Sequence, residues 1–149
     1  MGSTHSTFQI QRHYLVAPAI LFHALTDPAA KARWFAGGDG YRVLARSMDV
    51  RPGGKEHVEG RWENGTISTF DAIYLDVVPD SRLVYAYEMH IDQRRISVSL
   101  ATVEIEPSEV GSRFTITEQG AFLDGYDDAG SRESGTRMLL GQLGDALAG

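Results

Sequence analysis

The chain has 149 residues, a formal net charge of −6, 42% hydrophobic and 23% charged residues, and no cysteine. That length suits a single folded domain, 1–149, with one core, and the acidic balance disfavours nucleic acid and anionic membrane as partners because both are polyanions. Without cysteine there are no disulfides, thiolate nucleophiles or thiolate-bound metals.

Met1 to Phe8 has neither the basic nor the apolar region of a leader, and no run approaches the roughly 18 apolar residues of a membrane span, so a cytoplasmic protein is expected. Thr7 to Val16 alternates with an approximate period of two and predicts a first strand. Pro18 suits the first turn of a helix, and Ile20, Leu21, Ala24 and Leu25 continue at helical spacing. Asp27 then caps a second short helix that has Pro28 at its first position and is predicted to run through Ala32 to Trp34 and Phe35.

From Tyr41 the period becomes two. Six strands are predicted in succession: Tyr41 to Val50, Lys55 to Trp62, Thr66 to Val78, Arg82 to His90, Ile96 to Glu106 and Ser112 to Gln119. They are separated by turn sequences, among them Pro52-Gly53-Gly54 and Asn64-Gly65, the pattern of an antiparallel meander. Ser131 to Leu147 closes the chain as a one-sided helix, with Thr136, Leu139, Leu140 and Leu143 on its apolar arc. A single long helix after a large sheet has to bury that arc against the sheet.

Alternation also assigns faces. Leu83, Tyr85, Tyr87 and Met89 share one face of their strand, while Ser97, Ser99, Ala101, Val103 and Ile105 share one face of the next. Phe114, Ile116 and Glu118 follow the same rule, which turns the Glu118 carboxyl toward the helix side. Aromatic rings with polar tips along one face suit a large, partly wet cavity, although they also fit ordinary strands of high β-propensity.

The five histidines, at positions 5, 13, 23, 57 and 90, show no ligand spacing, so no metal is expected, and without a phosphate loop or a dinucleotide fingerprint no cofactor is expected. His57 and His90 are the two to consider near a cavity, with an exposed strand position as the simpler reading. Asp124, Asp127, Asp128 and Glu133 miss the spacing of a calcium loop and instead suit a helix N-terminus. Glu118 is the single candidate for acid or base chemistry: a desolvated carboxyl of raised pKa can exchange protons with a ketone or phenol. The structural alternative is a carboxylate bonded to backbone or paired with Arg132.

Several stretches together resemble a known group. Ala17-Pro18 opens a helix and Leu25-Thr26-Asp27-Pro28 closes it; Trp34-Phe35, Asp49-Val50-Arg51-Pro52-Gly53-Gly54, Val78-Pro79, Arg82-Leu83-Val84 and Thr115 to Gly120 follow in order. In these the chain resembles, over its whole length, the START-like (SRPBCC) superfamily, and within it bacterial proteins related to the C-terminal domain of the activator of Hsp90 ATPase. The resemblance implies an α+β helix-grip (START/Bet v 1-like) fold, with a curved antiparallel sheet of six to seven strands around the C-terminal helix and two short helices after the first strand. It also implies a small hydrophobic or amphipathic molecule held between sheet and helix. Some relatives are polyketide aromatase/cyclases, which makes an enzyme using Glu118 the alternative, and a co-chaperone-like contact with Hsp90 a lower one. Met138 stands where relatives commonly carry tryptophan.

The expected cavity wall combines these readings. From the early helices and the sheet it takes Trp34, Phe35, Phe70, Tyr74, Tyr85, Tyr87 and Met89; Tyr74, Tyr85 and Tyr87 could also supply hydroxyl donors. From the last two strands and the helix it takes Ser97, Ser99, Phe114, Ile116, Glu118, Phe122, Met138 and Leu139. A monomer or a homodimer is compatible with the sequence.

Overall fold

A computed structural model describes residues 2–149. Seven strands form one antiparallel curved sheet in the order β1-β7-β6-β5-β4-β3-β2. The strands are β1 (Ser3–Tyr14), β2 (Tyr41–Met48), β3 (Lys55–Trp62), β4 (Ile67–Val78), β5 (Arg82–Ile91), β6 (Arg94–Ser108) and β7 (Gly111–Leu123). Helices α1 (Pro18–Thr26) and α2 (Pro28–Ala32) lie between β1 and β2, and α3 (Ala129–Ala148) ends the chain. The architecture is α+β with a helix-grip arrangement, in which β2 to β7 follow one another as a meander and β1 pairs with β7.

Short connections make the meander possible. Gly65 turns β3 into β4 at φ 88°, a conformation that glycine adopts without strain. Beyond β2, the backbone N–H of Gly53 donates to the Tyr74 carbonyl and the N–H of Tyr74 donates to the Gly54 carbonyl. The Asp49 to Gly54 turn is thereby stitched to β4. Asp49 and Arg51 do pair, at 2.8 Å, but on the exposed surface, where such a bridge is worth about 0 to 1 kcal/mol.

Three element boundaries differ from the sequence reading by three residues or more. β1 begins at Ser3 rather than Thr7, because β7 runs on to Leu123 instead of ending at Gln119 and supplies it with partners: Ser3 lies opposite Leu123 and Thr7 opposite Gln119. α2 stops at Ala32, short of Trp34 and Phe35. The backbone N–H groups of both aromatic residues still donate to the Lys31 carbonyl, so they sit in a tight turn that aims their rings inward. Asp27 caps α2 as expected, its Oδ2 accepting from the Ala30 N–H at 3.0 Å.

α3 packs against β1 and α1. The Tyr14 hydroxyl donates to the Leu140 carbonyl at 2.8 Å, and Gln142 Nε2 donates to the carbonyls of Trp34 and Ala36. The helix is therefore fixed at one sheet edge and at the turn after α2. Thr136, Leu140 and Leu143 are its buried residues, while Met138 is 45% exposed. No described helix is long and apolar enough to cross a membrane.

Candidate functional site

Between α3 and the sheet lies a cavity of about 340 Å³. This is within the range of small-molecule sites. Trp34 and Phe35 form one wall, Phe70, Tyr85, Tyr87 and Met89 the floor, and Phe114, Ile116 and Glu118 the side toward β7. Met138 and Leu139 contribute from α3. Four other residues expected there are placed elsewhere. Tyr74 is turned to Glu56, Ser97 accepts from Arg132, Phe122 lies beneath the Arg132 guanidinium, and Ser99 is buried in the sheet with its Oγ unpartnered. All four have the expected face, but none borders the open volume. Facing inward does not suffice: Arg132 of α3 covers Ser97 and Phe122, and Glu56 engages Tyr74.

Strand register builds the polar centre of the cavity. Tyr85 lies opposite Ala101, and Ala101 lies opposite Glu118. The small alanine between them leaves the tyrosine and the acid facing one another across the floor. Glu118 is 5% exposed, and its Oε1 accepts from the Tyr87 hydroxyl at 2.5 Å. That hydroxyl in turn accepts from Arg132 Nη1 at 3.2 Å. Arg132 Nη2 donates to Ser97 Oγ at 2.7 Å and to Asp127 Oδ2 at 2.9 Å. Glu118 and Arg132 thus meet through Tyr87 rather than as the direct pair considered from sequence.

Burial pushes the Glu118 carboxyl above its ordinary range, against the opposing influence of the Tyr87 hydrogen bond and the Arg132 charge. Tyr87 is raised as well, first by burial and then by the neighbouring Glu118 charge. Tyr85 is raised well above the phenol range by burial and by the charges of Glu118, Tyr87 and Glu56. A carboxyl of raised pKa beside two phenols that keep their protons can hydrogen-bond a polar group of a bound molecule.

Sequence reasoning missed three features of the wall and what lies beneath it. Tyr41 and Trp62 meet edge to face at 4.9 Å between centroids and border the cavity beside Gly37. A Cβ on Gly37 or Gly60 would run into the Tyr41 ring, so both glycines make room for it. Arg132 lines the cavity although its helical position reads as an ordinary polar one. The third is Lys31, which is 5% exposed and bonded to the 2% exposed Glu56 beneath Phe35 and Phe70. A lone lysine in the short helix α2 carries no sequence signal for that burial.

The remaining candidates have structural roles. His57 bonds Asp71 at 2.6 Å on the sheet face away from the cavity, the face that His90 also occupies. Asp128 caps α3 through Ser131, and Glu133 pairs with Arg137. Among the described residues, no three His, Asp or Glu side chains group as a metal site would need.

Residues 16–148 match the family of the activator of Hsp90 ATPase homolog 1-like protein. The chain belongs to that family. It is similar to a protein from Rhizobium leguminosarum, with 40% identity, 99% of this chain and 97% of the other covered, and a TM-score of 0.94. It is also similar to Mll3558 from Rhizobium loti, at 44% identity over 98% of this chain and 99% of the other, with a TM-score of 0.90. CV1439 from Chromobacterium violaceum shares the fold at 24% identity, covering 95% and 96% of the two chains with a TM-score of 0.80. No curated protein matches the chain. Family membership places it in the SRPBCC, helix-grip group.

Proposed function

We propose that this family member binds a hydrophobic or amphipathic small molecule in the cavity between sheet and α3. The observation that carries the reading is the cavity itself: about 340 Å³, walled by aromatic and aliphatic side chains, with the tips of Glu118, Tyr87 and Arg132 grouped at one side. An apolar wall supplies affinity by releasing water, and a few fixed polar groups set orientation. Native mass spectrometry of freshly purified protein tests this. A retained small molecule, or an added naphthalene-based fluorophore held one per chain and displaced when Ile116→Trp fills the cavity, is the expected result. A protein that retains and takes up nothing contradicts the proposal.

Glu118 favours one second reading, an enzyme that moves protons on a bound ketone or phenol in the manner of a polyketide cyclase. Its carboxyl borders the cavity, is raised by burial and is held by Tyr87, the arrangement that a general acid needs. Under that reading Glu118→Gln abolishes turnover of a polycyclic ketone while the ketone still binds. Unchanged turnover removes it.

A further inference from the structure

We infer that the cavity discriminates by charge, accepting hydrophobic amines in preference to hydrophobic acids, with Glu118 as the residue that selects them. This rests on the cavity being the binding site. The argument is a charge census of its surroundings. Among the described residues Arg132 is the one cation of the wall, and it is already engaged: Asp127 neutralises it at 2.9 Å, and Ser97 and Tyr87 take further N–H groups. Lys31, beneath Phe35 and Phe70, is neutralised by Glu56 at 2.7 Å. Arg46 donates to the Phe35 carbonyl and lies outside the wall. Each cation of the wall and floor therefore has its own carboxylate, and Glu118 is left over.

Among the described residues Glu118 forms no ion pair. The groups around it are the hydroxyls of Tyr85 and Tyr87 on β5, the Arg132 guanidinium on α3, and uncharged Ala101 on β6 and Phe8 on β1. A carboxylate-bearing ligand would enter a cavity whose uncommitted ionisable group is itself an acid, and would have to take Arg132 from Asp127. An ammonium meets the reverse situation: it gives Glu118 the direct ion-pair partner it lacks, next to aromatic rings that also favour a cation. Neutral alcohols fall between the two, since they bond the acid without a charge.

Three probes of matched shape separate these cases: naphthylmethylamine, naphthylmethanol and naphthoate, titrated by calorimetry at about pH 8, where the amine is still charged. The expected order is amine, then alcohol, then acid, with the amine bound at least roughly tenfold tighter than the acid. Glu118→Gln brings the amine and alcohol to within about twofold of one another. Asp127→Asn, which releases Arg132, shifts the balance toward naphthoate in a protein that retains Glu118. Naphthoate binding as tightly as the amine to the unaltered protein overturns the inference and makes Arg132 an anion receptor. If the alcohol binds but charge makes no difference, the inference alone fails. If none of the three binds, the cavity reading fails with it.

Discussion

The Lys31 ammonium lies 2.7 Å from Glu56 Oε1, and both side chains are almost fully removed from water. Tyr74 donates to the same oxygen at 2.6 Å, whereas Glu56 Oε2 is buried without a partner. Burial lowers the Lys31 pKa, and the facing Glu56 charge opposes that change. The pair lies on β3 and α2, so it ties α2 and the turn bearing Trp34 and Phe35 to the sheet. Removing one charge leaves the other buried and uncompensated. Lys31→Met or Glu56→Gln alone is expected to cost about 3 to 5 kcal/mol, read from urea unfolding, whereas the double change Lys31→Met with Glu56→Leu recovers most of it. Single variants as stable as the unaltered protein would show that the pair contributes no constraint.

Glu118 gives stability a pH dependence of definite sign. Its folded pKa is raised by burial, so between the unfolded value and the folded value the native state holds more protons than the unfolded state. The contribution is fully present below the unfolded pKa and is lost as pH rises through the folded one. The urea midpoint should therefore fall on going from acid toward neutral pH, over and above the slope left in Glu118→Gln. Parallel profiles for the two proteins would show that Glu118 titrates alike in both states.

Gly60 and Tyr41 form a fitted contact at the rim. A Cβ at position 60 would coincide with the Tyr41 ring, which also packs on Trp62 at 4.9 Å. Gly60→Ala is expected to destabilise by about 1 to 3 kcal/mol through overpacking and to displace Tyr41 from the wall. A bound fluorophore should then dissociate faster. Combining it with Tyr41→Ala should relieve most of the cost, since the clash is with that ring.

Met138 borders the cavity and is 45% exposed. Its side chain is flexible and adapts to its neighbours, whereas a tryptophan there would be rigid and larger. Met138→Trp is expected to lower the affinity for bulky polycyclic probes several-fold while leaving a single-ring probe almost unaffected. Fluorescence titration with probes of graded size reads the difference, and equal affinity across the series would show that position 138 does not limit the volume.

Alternation with a period of two was sufficient to place Glu118 inward, because Phe114 and Ile116 precede it at the same spacing and the register is held by β6 and β1. It likewise gave Tyr85, Tyr87 and Met89 their face, and the turn residues gave the meander its order. Only the tertiary structure decided which inward residues border open space. Phe122 and Ser97 face the same way as Met89, yet Arg132 covers them, and that depends on how α3 crosses the sheet from its anchor at Tyr14. The Lys31 and Glu56 pair, 25 residues apart, was unreadable in advance, and so was the place of Tyr87 between Glu118 and Arg132. Local sequence fixes the face that a side chain takes, because the backbone repeat is local; what it meets there depends on elements brought together from distant parts of the chain.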